Sequence, residues 1–73
     1  MKFKELDNVI LTKEVSYVDR GDEGILPAGT KGVVVHLYER DPHIVVVEFF
    51  DEDLDTICIE DISIGFLELG DPE

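Results

Sequence analysis

The chain has 73 residues, 44% of them hydrophobic, with 18 Asp and Glu against 6 Lys and Arg and a formal net charge of −12. A chain this short holds one small core and no separate cofactor lobe, since a domain of about 60 residues buries only about 60% of the surface its unfolded chain exposes. The charge argues against a nucleic-acid binder, whose affinity comes from Lys and Arg displacing counterions, and the longest apolar run, Ile44 to Val47, falls far short of the roughly 20 residues that span a membrane.

In chain order, Phe3 to Asp7 is a lead-in and Asn8 to Thr12 reads as a first strand. Glu14 to Gly24, with Ser, Asp, Arg and two Gly, reads as a mobile loop. Ile25 to Thr30 reads as a turn, with Pro27 in its second position and Gly29 able to take positive φ. Thr30 to Glu39 is the longest strand candidate. Arg40-Asp41-Pro42 makes a tight turn before a strand at Ile44 to Phe50. The acidic turn Asp51-Glu52-Asp53 leads into a fourth strand, Asp55 to Glu60. Asp61-Ile62-Ser63 reads as one helical turn, Phe66 to Leu69 as a last strand, and residues 70–73 as a frayed tail.

Alternation assigns faces. With His36 polar, Val33, Val35 and Leu37 are expected to face the core. With Glu48 polar, Val45, Val47 and Phe49 face inward. With Thr56 and Glu60 polar, Ile57 and Ile59 face inward and Cys58 lies on the other side. No stretch carries a helical stripe of useful length. Five short strands must hide their edges, so the fold expected is all-β, a small five-stranded barrel formed by one domain over 1–73.

The stretch Ile25-Leu26-Pro27-Ala28-Gly29-Thr30-Lys31-Gly32-Val33-Val34-Val35-His36 resembles the turn-plus-strand opening of SH3-like barrels of the KOW kind. The closing Glu60-Asp61-Ile62 is similar to the acidic-then-aliphatic step before the last strand of that fold. Together with Phe3-Lys4-Glu5-Leu6-Asp7-Asn8-Val9-Ile10-Leu11-Thr12-Lys13 and Val47-Glu48-Phe49-Phe50-Asp51, it resembles a family of short bacterial proteins beginning F-K-E-L-D-x-V-x-L-T. The resemblance runs to Ile59 and departs in the longer, more charged Tyr17 to Leu26 loop and after Asp61. It implies a single SH3-like domain and, by analogy with members encoded beside small toxin genes, an antitoxin or immunity role.

Catalytic groups are sparse. His36 and His43 read as surface side chains, and Ser16 and Ser63 stand in no recognisable spacing. The single Cys58 can form no internal disulfide, and the N-terminus has no signal-peptide pattern, so a reducing, cytoplasmic setting is expected. Asp51, Glu52, Asp53 and Asp55 crowd one turn. An EF-hand would need Gly and Glu where Thr56 and Ile62 stand, so no metal and no cofactor are expected. What remains is binding. Tyr38, Glu48, Phe50, Asp51, Glu52, Asp53, Asp55, Glu60 and Asp61 are the candidate face, with aromatics as anchors and carboxylates steering a basic partner protein. The expected function is a non-catalytic, acidic protein-binding module of the antitoxin or immunity type. The alternative is an accessory subunit of a larger cytoplasmic enzyme complex.

Overall fold

The computed structural model describes residues 3–70, and these are organised by strands. In order they are β1 (Asn8–Leu11), β2 (Val15–Asp19), β3 (Asp22–Leu26), β4 (Lys31–Leu37), β5 (Ile44–Phe50) and β6 (Thr56–Ser63), then a 3₁₀ turn (Ile64–Phe66) and β7 (Leu67–Leu69). An antiparallel five-stranded sheet has the order β6-β5-β4-β1-β7, and β2 pairs with β3 in a sheet of its own. The five strands expected from the sequence are those of the larger sheet.

The segment expected to be a mobile loop is instead the β2–β3 hairpin. Val15 and Tyr17 lean on the core, as does Leu26, while Ser16 and Val18 face water. Asp19 pairs with Asp22 across a two-residue connection in which Arg20 (φ 55) and Gly21 (φ 84) are both left-handed. That is the backbone a tight hairpin turn needs to match strand twist. The next turn is held by the Thr30 N–H donating to the Pro27 carbonyl at 3.2 Å, with Gly29 at φ 94. Gly29 takes positive φ as expected, but Pro27 is the first turn residue, not the second.

The core lies between the inner face of the large sheet and the hairpin, in a molecule 18 Å across its shortest extent. Two β layers pack about 10 Å apart, and outward side chains fill the remainder. Phe3, Val9, Leu11, Leu26, Val34, Val45, Val47, Phe49, Cys58, Ile62 and Leu67 are buried.

Register corrects two of the three face assignments. Val45, Val47 and Phe49 do face inward. On β4, however, Val34 is the buried residue and Val35 is 37% exposed, because a bulge shifts the pairing from Val34↔Val47 to His36↔Val46. Val33 sits opposite outward-facing Glu48, and only Leu37, beyond the bulge and opposite Val45, faces inward as expected. On β6, Phe49 pairs with Cys58 and Val45 with Ile62, so Cys58 is 1% exposed and Ile59 is 47% exposed. Ile57 is the extra residue at a second bulge, between Phe49↔Cys58 and Phe50↔Thr56. Because β6 continues to Ser63, the helical turn expected at Asp61 to Ser63 forms at Ile64–Phe66, with the Ser63 hydroxyl accepting from the Gly65 N–H. The expected tail fray does not include Gly70, whose N–H donates to the Asn8 carbonyl at 2.8 Å; the rest of that tail is outside the described residues.

The expected closed barrel is corrected as well, because no backbone ladder joins the two sheets among the described residues. Carboxylates make the junction. The Ile59 N–H donates to Asp19 Oδ2 at 3.3 Å, and the Val18 N–H donates to Glu60 Oε1 at 3.4 Å. Glu60 can do this because it lies opposite Val47, on the inward side of edge strand β6, and not on the polar side expected. An inward charge on an edge strand also discourages pairing with other chains.

Two outcomes follow from the packing. A Cβ on Gly32 would lie 2.6 Å from Val47 Cγ1 and 2.8 Å from the Glu48 carbonyl oxygen. Gly32→Ala should therefore lower stability by about 1–3 kcal/mol in urea unfolding; an unchanged midpoint would refute the close approach. Burial, then the Glu60 and Asp19 carboxylates, push the Cys58 thiol up to about 11. The folded state favours the neutral thiol, so its contribution to stability holds below the ordinary value of 9.0 and is lost as pH rises through about 11. Cys58→Ala should flatten that part of the alkaline loss, and the native thiol should resist disulfide reagents near neutral pH.

Candidate protein-binding surface

The hairpin packs Val15, Tyr17 and Leu26 against the inner side of the sheet, and its tip reaches the β6 edge beside Glu48, Thr56 and Ile59 of the outer face. Register arranges that face in rows. Thr56, Phe50, Lys31, Ile10 and Glu68 stand side by side across β6, β5, β4, β1 and β7. Next come Ile59, Glu48, Val33 and Asn8, then Asp61, Val46 and His36. The apolar members, Ile10, Val33, Val46, Phe50 and Ile59, are half-buried or exposed and share the face with Lys31, Glu48, His36 and Asn8 on its inner strands and with Asp61 and Glu68 on its edge strands.

The candidate residues divide across this geometry. Phe50 is half-buried on the outer face beside the β5–β6 turn. Glu48 stands in the middle row and accepts a hydrogen bond from the Thr56 hydroxyl. Tyr38 and Asp61 meet at the far end, where the Tyr38 hydroxyl donates to Asp61 Oδ1 at 3.1 Å and the His36 ring stands edge-on, 5.2 Å between centroids. Four residues of β5 separate the Phe50 and Val46 rows, about 13 Å at strand rise. Glu60 leaves the set, since it turns inward to the hairpin.

The acidic turn is built by one of its own carboxylates. Asp51 Oδ1 accepts from the Asp53 N–H at 2.9 Å and the Asp55 N–H at 3.0 Å, while the Asp51 N–H donates to the Asp55 carbonyl. This turns the chain at Leu54, which sits at φ 66 and is 78% exposed. Glu52, Asp53 and Asp55 project into water. Among the described residues no group of three or more His, Cys, Asp or Glu is placed to hold a metal ion.

Two concavities flank this region. A groove of about 1070 Å³ runs between the Pro27–Thr30 turn and the β5–β6 turn, with Ile10, Val33, Phe50 and Ile57 among its lining. Leu54, Asp51 and Glu52 line it too, and Lys31 supplies a cation. A recess of about 690 Å³ separates the hairpin tip from the β6 edge, lined by Asp19, Asp22, Glu23 and Glu48 with Arg20. Sequence reasoning missed the groove. Its signal lay in Val9-Ile10-Leu11 and Phe49-Phe50, which are apolar at both parities and so send Ile10 and Phe50 to the face opposite the core.

The hydrogen bond to Asp61, with lesser burial and charge effects, raises the Tyr38 pKa above its ordinary 10.0. The neutral phenol is the form held, so this contact survives below that value and is lost at higher pH. In a Tyr17→Phe background, Asp61→Asn should bring the ultraviolet titration of Tyr38 down toward 10.0; no movement would show that the pair does not form in solution.

Compared with protein-family models, with curated proteins and with solved structures, the chain matches none.

Proposed function

We propose that this chain is a non-catalytic, acidic protein-binding module whose partner presents a basic surface. One observation carries the reading. Among the described residues, the side-chain carboxylates of Asp7, Asp19, Asp41, Glu48, Asp51, Glu60 and Asp61 accept their hydrogen bonds from backbone N–H groups or hydroxyls, and not from Lys or Arg side chains. These bonds organise turns and join the sheets without neutralising charge. The field of a −12 chain is thus left for a partner. Such a field accelerates encounter with a cationic surface by roughly 10- to 1,000-fold and repels both nucleic acid and a second copy.

The resemblance to short bacterial SH3-like proteins supports an inhibitory role of the antitoxin or immunity type within this reading. The SH3-like description is itself part of the proposal. It is supported by a meandering antiparallel sheet with a hairpin laid over its inner face and a 3₁₀ turn before the last strand.

Co-expression with the products of the flanking genes, followed by co-purification, identifies the partner. The association rate with that partner should fall about tenfold or more as salt rises toward 1 M, where the screening length shrinks from about 8 to about 3 Å. The dissociation rate should change much less. A partner of acidic surface, or an association rate indifferent to salt, would contradict the reading.

A further inference from the structure

We propose that the groove between the Pro27–Thr30 and β5–β6 turns docks an apolar segment of the cationic partner, flanked there by Lys or Arg, with Leu54 as the chain's own anchor. This rests on the protein-binding reading above and adds where the partner sits and what it presents.

Of the groove's apolar lining, Ile10, Val33 and Phe50 belong by register to the outer face of the sheet, and Ile57, the extra residue at the β6 bulge, joins them while packing against the core. Leu54 supplies an independent reason. It holds φ 66, a left-handed conformation that is unfavourable for an L-residue with a Cβ. Its side chain is 78% exposed, so no burial within the chain offsets that cost. The turn does not need a leucine, because Asp51 closes it through backbone N–H groups at residues 53 and 55. Gly or Asn would adopt the same backbone with less strain. Leu6 shares the conformation and the exposure (φ 70, 77% exposed) away from the groove, so it is the place of Leu54 at the lip of an apolar groove that fits a contact made outside the chain.

Charge selects the occupant. Asp51 and Glu52 line the groove beside Leu54, and the chain as a whole carries −12. A second copy would bring the same charge to the same place. A partner segment with cations beside its apolar residues satisfies both the lining and the rim. Lys31 is the exception, and its aliphatic stem can lie along the floor with its ammonium in water.

The test uses the full chain, ¹⁵N-labelled, and three short synthetic peptides: alternating Leu and Lys, alternating Ser and Lys, and alternating Leu and Glu. The Leu/Lys peptide alone should give saturable amide shifts centred on Ile10, Lys31, Val33, Phe50, Leu54 and Ile57. Leu54→Gly should leave the urea midpoint unchanged or raised, yet weaken that peptide at least about fivefold, the value of roughly 1 kcal/mol of lost apolar contact. That opposition of stability and binding separates an anchor from a structural residue. Equal binding of the Ser/Lys peptide, with shifts gathered at the hairpin recess, would overturn the groove and leave the protein-binding reading standing. Failure of both Lys peptides even at low salt would overturn both. Groove shifts that grow with protein concentration and no peptide would mean a second copy occupies it, which also overturns the proposal.

Discussion

The pairing of β5 with its two neighbours is the constraint on which the rest of the molecule depends. Val45, Val47 and Phe49 face inward along β5, and each neighbour must present its own inward set against them. On β4 that brings Gly32 beneath Val47 and Phe49, where no side chain fits. On β6 it brings Cys58, Glu60 and Ile62 inward. A slip of one residue on either strand would invert every face. The slip is blocked on one side by Gly32 and on the other by the bulge at Ile57.

This register makes both surfaces of functional interest. It turns Glu60 inward, where its carboxylate can accept the Val18 N–H, and leaves the Ile59 N–H for Asp19. Two carboxylates thereby join the hairpin to an edge strand that no backbone ladder covers. It also sends Phe50 and Val33 outward, where with Ile10 they give the outer face apolar positions among its polar ones. In the proposed function the negative charge and these apolar positions divide the labour of binding: long-range attraction brings a cationic partner near, and apolar contact holds it.

The five strands of the large sheet were legible because each is bounded by Gly, Pro or acidic turn residues, and all but the last, Leu67–Leu69, carry β-branched side chains. Their faces were less so. Val33-Val34-Val35 and Ile57-Cys58-Ile59 offer little contrast in hydropathy between parities, and His36 misled as a phase marker because a bulge places Val35 and His36 both outward. The hairpin was hidden by its charged outward positions, which mimic a loop, although Val15, Tyr17 and Gly21 mark it in retrospect. At the candidate site, Phe50 and the acidic turn were readable from composition. Glu60 was not, since its partner lies 42 residues away on a strand whose charged sequence reads as a loop. Leu54 stood in plain view within Asp53-Leu54-Asp55, but only its place at the groove makes it notable.

Cross-strand proton contacts in the folded chain test the β5–β6 register most directly. Nuclear Overhauser effects should join the Phe49 ring to the Cys58 β-protons and the Val45 methyls to Ile62, with Ile59 facing Glu48 on the outer side. Contacts instead from the Phe49 ring to both Ile57 and Ile59 side chains would restore the simple alternation, place Cys58 outside, and contradict the account.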